Sequence, residues 1–236
     1  LSADELQQRI NIAPALGGMF YRDTVRVDPA KLTLGLAQVI EAKGVQISER
    51  AAVKSIAPGT VVASRGVVRA RTVLSCVEAY TSEIESDAPG FGSRQLIPVN
   101  SSMIVTAPLS DADWERIGWN GLECLNDGAH TFVYAQRTAD GRIAIGGRGT
   151  PYAYNSGTPG RGAVDDATIQ TPKDRLAYFF PCTPFPTDHA RRGATVVTCD
   201  WRAGSFFDLV MRIVTARCLS GHGLSATDPA ALTVRD

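Results

Sequence analysis

The chain has 236 residues, 24 Lys and Arg against 24 Asp and Glu, and 44% hydrophobic residues. That is the composition of a globular chain able to bury a sizeable core, as one large domain or two small ones. A formal net charge of zero gives no basic stripe for a phosphate backbone, and no apolar run approaches the ~20 residues of a membrane span, so neither nucleic acid nor membrane is an expected partner.

The first residues, Leu1-Ser2-Ala3-Asp4-Glu5, lack an initiating Met, a basic n-region and an apolar h-region, so no secretory leader is expected and the chain reads as though cut from something longer. Ser2 with Glu5 three residues on predicts a capped helix ending before Pro14. Leu16 to Tyr21 reads as a Gly-broken strand or turn leading to Val25-Arg26-Val27. Asp28-Pro29 supplies the cap and first turn of a second helix, in which Leu32, Leu36, Val39 and Ile40 recur at helical spacing until Gly44.

Short β-branched segments follow as a strand meander: Val45–Ile47, Ala52–Ile56, Thr60–Ala63, Gly66–Ala70 and Thr72–Ser75. Met103–Thr106 is a further strand, and Ser110–Ile117 a short capped helix. Thr131–Arg137 and Arg142–Gly147 flank the turn Asp140-Gly141 and predict a hairpin. Thr150 to Gly162 is a Gly, Pro and Tyr-rich loop, and Asp165 through Phe180 a long helix interrupted around Pro172. From Pro181 to Ser225 neither clean alternation nor a capped helix is visible. The fold class expected is α+β, dominated by antiparallel strands.

Chemistry is sparse. His130, His189 and His222 are isolated and no HxxxH or HxE occurs, which argues against a metal. The GxSxG elbow, the GxxxxGK[ST] phosphate loop and the dinucleotide-binding GxGxxG are all missing. Cys76, Cys124, Cys182, Cys199 and Cys218 are odd in number and scattered, which predicts a reducing, cytoplasmic setting and buried free thiols. Gly146-Gly147-Arg148-Gly149 ends a strand beside Tyr152 and Tyr154. Its Arg could clamp a carboxylate or a cofactor's polar edge, or it could be a solvent-exposed Arg at a hairpin end.

Several blocks then occur in one order. Val27 to Leu32, Gly35-Leu36-Ala37, Gly44-Val45, Val53-Lys54-Ser55-Ile56 and the Gly66-to-Leu74 strands resemble the middle of the FAD-dependent D-amino-acid oxidase and glycine oxidase superfamily. Pro98, Ser101 to Leu109, Arg137-Thr138, Asp140 to Ile143 and Gly146 to Gly149 resemble its continuation. Asp200-Trp201, Phe207-Asp208 and Gly221 to Thr227 are similar to its C-terminal flavin-contact segment, although Arg191-Arg192-Gly193 stands where Trp-Gly-Gly is expected and Arg217-Cys218-Leu219 where Gly-Gly-Tyr is expected. The family's N-terminal βαβ unit with GxGxxG has no counterpart in this sequence.

The resemblance implies a mixed, largely antiparallel substrate-domain sheet with part of an FAD-binding α/β domain. Residues 1–96 are then the remainder of the FAD-binding domain, 97–190 the substrate-binding domain, and 191–236 a return to the FAD-binding domain. It implies FAD as cofactor, a small amine or amino acid as substrate, and oxidation of a C–N bond by hydride transfer to flavin. Arg148 and Tyr152 become the substrate-side candidates. Val53 would border the adenine, and Gly221, His222, Gly223, Leu224 and Ser225 would turn tightly and start a helix toward the flavin. The alternative is a non-catalytic remnant or binding module that folds without FAD.

Overall fold

The computed structural model describes residues 1–13, 15–88, 91, 96–129, 132–147, 164–198 and 204–217. The chain forms two compact units: Leu1–Leu34 with Asn100–Gly193, and Gly35–Val99 with the chain from Ala194 on. Their boundaries fall inside one helix and two long strands, so each unit is built from segments far apart in sequence.

Helix α1, Ala3–Gln7, starts at a reciprocal capping box. The Ser2 hydroxyl accepts from the Glu5 amide at 3.3 Å, and the Glu5 carboxylate accepts from the Ser2 amide at 2.7 Å. It stops at Gln7, ahead of Pro14 as expected. Helix α2, Pro29–Ala42, begins where the Asp28 carboxylate accepts from the amides of Ala30 and Lys31. Gly44, at φ 87°, takes the left-handed conformation that ends it. Its apolar side is not buried by the described chain: Leu34, Leu36 and Val39 are each more than half exposed.

In the second unit, β1 (Val53–Ala57), β2 (Thr60–Ala63) and β3 (Gly66–Arg69) form the expected antiparallel meander. Val45–Ile47, expected as a strand, is not one. Val45 and Ile47 remain exposed there, so burial offers nothing to offset the ordering of an extended segment. After β4 (Val73–Ser75) a 3₁₀ turn, Glu78–Glu83, leads to Glu85, whose backbone bridges β1 by hydrogen bonds with Lys54 and Ile56. Ile56, Val73, Ile84, Ala88, Phe91 and Ile213 make the core of this unit.

The first unit is organised by a five-stranded sheet in the order β6-β7-β8-β5-β9. Strand β5 is Leu96–Thr106. Helix α3, Asp111–Ile117, follows it with a Ser110–Asp113 capping box and a left-handed Gly118 at its end. Strands β6 (Cys124–Asn126), β7 (Val133–Arg137) and β8 (Ile143–Gly147) are antiparallel neighbours. The β7–β8 hairpin turns at Asp140-Gly141 as expected, with Gly141 at φ 76° and the Thr138 hydroxyl accepting from the Arg142 amide at 3.0 Å.

Helix α4, Asp166–Phe179, is continuous through Pro172, a correction to the interruption expected there. A mid-helix proline costs about 3 kcal/mol. Thr168, Pro172, Leu176 and Phe179 fall on one buried stripe, and burying Leu176 and Phe179 returns about 1.5–3 kcal/mol each, enough to offset that cost. The stripe packs on Ile104, Val133, Ala135, Ile143 and Ile145, with Trp114, Ile117 and Trp119 closing the core.

Strand β9, Thr187–Thr198, lies where no clean alternation is read from the sequence, although Thr195–Thr198 is a β-branched run like Thr60–Ala63. It is an edge strand, where charges replace apolar alternation. Asp188 forms an ion pair with Arg142, and Arg192 reaches Asp165 at 3.2 Å and the Thr168 hydroxyl at 2.9 Å. The chain then closes the second unit: β10 (Gly204–Asp208) pairs antiparallel with β11 (Ile213–Arg217), which runs parallel to β4. No described helix is long and apolar enough to cross a membrane.

Candidate functional site

Alternation gives the five-stranded sheet two unlike faces. One carries Ile104, Val133, Ala135, Ile143 and Ile145 into the α4 core. The other carries Ser101 and Met103 of β5, Tyr134 and Gln136 of β7, Cys124 and Asn126 of β6, and Gly146 of β8. Register aligns Asn126, Tyr134, Gly146 and Met103 in one row across four strands. Asn126 and Met103 are exposed at the ends of the row, and Tyr134 is half-buried between them.

Gly146 is what shapes this row. A Cβ there would lie 2.5 Å from the Tyr134 Cζ and hydroxyl oxygen, so the ring rests directly on the bare backbone of β8. The phenol thereby reaches across β8 to β5, where its oxygen is 2.8 Å from Ser101 Oγ. Ser101 Oγ is also 3.5 Å from the Gly147 carbonyl, a long contact. The face presents hydroxyl, amide, thioether and thiol groups around the Tyr134 ring, which suits hydrogen bonding to a small polar ligand.

Three of the five thiols differ from expectation: Cys76, Cys124 and Cys182 are free but exposed, not buried, while Cys199 and Cys218 lie outside the described residues. The short strand, loop and turn settings of the exposed three lie outside both cores. Partial burial pushes the Cys124 thiol up, against the opposing pull of the Arg26 guanidinium, and burial alone pushes Cys76 up. Both are held in the less reactive thiol form.

A cavity of about 750 Å³ opens along the edge of β6 between the N-terminal segment and α4. Its cations are already engaged. Arg9 pairs with Glu123 at 3.1 Å and lies 4.2 Å over the Phe20 ring, while Arg175 is 3.9 Å from Asp127. Among the described residues no His, Cys, Asp or Glu side chains gather as a metal site.

Of the residues singled out in the sequence, Val53 is the first residue of β1, half-buried against the second unit's core and opposite Ala63, with a bulge between it and Ser55. Arg148, Tyr152, Gly221, His222, Gly223, Leu224 and Ser225 lie outside the described residues. Tyr134 was not a candidate in the sequence, although the hairpin turn that places it opposite Gly146 was visible there.

An FAD pyrophosphate needs free amides, typically at a helix N-terminus. At each of the four described α-helix starts a side chain, Ser2, Asp28, Ser110 or Asp165, caps one or two of these amides. Among the described residues no α-helix N-terminus therefore stands uncapped as a ready pyrophosphate grip.

The chain is 23% identical to the probable oxidoreductase OrdL of Haemophilus influenzae, covering 98% of this chain and 52% of the relative. It is 25% identical to the gamma-glutamylputrescine oxidoreductase of Escherichia coli, covering 100% of this chain and 53% of the relative. It thus spans about half the length of the curated relatives it matches. The crystal structure of glycine oxidase from Geobacillus kaustophilus superposes with a TM-score of 0.78 over 100% of this chain and 61% of that one, at 17% identity, and so shares the α+β fold. The family model described as FAD dependent oxidoreductase (DAO) matches residues 1–236, and the chain belongs to that family.

Proposed function

We propose that the protein is the substrate-side portion of a flavoenzyme that oxidises the C–N bond of a small amine or amino acid. The observation that carries this is the open sheet face, where Tyr134 lies on Gly146 with its hydroxyl held at Ser101. Bound FAD would supply the hydride acceptor.

The chain's own residues would bind and orient. The Tyr134 hydroxyl offers a donor and an acceptor to the polar end of a substrate, Asn126 offers an amide beside it, and Met103 offers an apolar wall. Arg148, two residues beyond Gly146 in sequence, is the cation this reading assigns to a substrate carboxylate. Tyr152 follows it as an aromatic neighbour. On this reading the first unit serves the substrate and the second the cofactor, with Val53 toward the adenine and Gly221, His222, Gly223, Leu224 and Ser225 toward the flavin.

The names of the relatives supply the substrates to try, glycine and gamma-glutamylputrescine. The test is steady-state oxidation of each by the FAD-loaded protein, wild type against Tyr134→Phe. A substrate contact predicts a raised KM in the variant; equal KM values contradict it.

A further inference from the structure

We propose that Ser101 is a positioning residue for this site, holding the Tyr134 phenol flat across β8 so that its hydroxyl meets the substrate in one orientation. The inference rests on Tyr134 being the substrate contact. A tyrosine on an open sheet face ordinarily has free rotation at its outer torsions, because nothing beyond the sheet confines it. Here three groups from three strands confine it. Gly146 on β8 leaves the space the ring occupies, the β7 backbone roots it, and Ser101 on β5 meets its hydroxyl at 2.8 Å.

The chemistry of that contact suits a site that must serve a bound and an unbound state. A serine hydroxyl both donates and accepts. Without substrate, Tyr134 can donate to Ser101 Oγ. When a substrate carboxylate accepts the phenol proton, the Ser101 hydroxyl turns and donates to the phenol oxygen. The 2.8 Å contact survives the exchange, and the two hydrogen bonds in line strengthen each other. The 3.5 Å distance from Ser101 Oγ to the Gly147 carbonyl is too long to compete for that proton.

Ultraviolet resonance Raman spectroscopy of the tyrosine Fermi doublet tests this directly, because the doublet reports whether a phenol donates or accepts. The Tyr134 signal is isolated as the wild-type spectrum minus that of Tyr134→Phe. Ser101→Ala is expected to move it toward the doublet of a water-exposed tyrosine, and Ser101→Thr, which keeps the hydroxyl, to restore it. In the FAD-loaded protein, Ser101→Ala is expected to raise KM for glycine or gamma-glutamylputrescine by about three- to tenfold with a smaller change in kcat, again restored by Thr. An unmoved doublet in Ser101→Ala overturns the proposal. A moved doublet with an unchanged KM in Tyr134→Phe overturns the reading beneath it, so the two failures are distinguishable.

Discussion

Gly146 stands directly opposite Tyr134 in the β7–β8 register, and the phenol ring occupies the space that a side chain at 146 would fill. Function and stability should therefore separate at this position. Gly146→Ala places a methyl group 2.5 Å from the end of the Tyr134 side chain, which can swing away toward the open face. Meanwhile the strand gains the roughly 0.5–1 kcal/mol that glycine forfeits in chain entropy. Urea unfolding is expected to change by less than about 1 kcal/mol, while KM rises as in Tyr134→Phe. A loss of several kcal/mol would show that the ring is clamped from above.

Pro172 sits inside a helix that its neighbours hold together. Pro172→Ala regains about 3 kcal/mol of helix propensity and loses the burial of two methylene groups at about 0.8 kcal/mol each. A net stabilisation of about 1 kcal/mol and a higher Tm are expected. A lower Tm would mean that the proline ring fills space the alanine cannot.

Three carboxylates tie the edge of the first unit together. Asp188 is held below the usual range by its hydrogen bond from Arg142, Asp140 by the Thr138 hydroxyl and then Arg142, and Asp165 by the Thr168 hydroxyl and amide. A depressed carboxylate contributes stability that is present above its unfolded value and is lost as pH falls through its folded value. Tm should hold from neutral pH down to the ordinary 3.8 and fall below it. Asp188→Asn should reduce the fall. An identical acid limb in the variant would show that Asp188 does not contribute.

The thiols of Cys76 and Cys124, raised by burial, should alkylate with iodoacetamide more slowly than free cysteine at neutral pH and catch up only in alkali. Peptide mass spectrometry over a pH series reads this. Labelling at the free-cysteine rate at neutral pH would contradict it.

Local signals made much of the fold readable in the sequence. Ser2 with Glu5, Ser110 with Asp113 and the Asp140-Gly141 turn are short-range chemistry, and each forms as its spacing demands. The family blocks were readable for the same reason, being contiguous runs. Strand β9 was not, because its first half bears Asp188, His189, Arg191 and Arg192 on a sheet edge and shows no apolar period, which leaves the short β-branched run Thr195–Thr198 as its one signal. The run through Pro172 was hidden because its support comes from the sheet beneath. Tyr134 was within reach, since a hairpin closed by Arg137 and Ile143 puts Gly146 opposite it three steps along each strand. Its partner Ser101 lies on a strand 33 residues away, and no local pattern marks that contact.

The central claim is that this chain forms the substrate side of an amine-oxidising flavoenzyme, and anaerobic visible spectroscopy of the FAD-loaded protein tests it most directly. The expected result is a flavin band that bleaches when glycine or gamma-glutamylputrescine is added, and bleaches only at higher substrate concentration in Tyr134→Phe. Flavin that stays oxidised with both substrates would contradict the account and favour a binding module without redox chemistry.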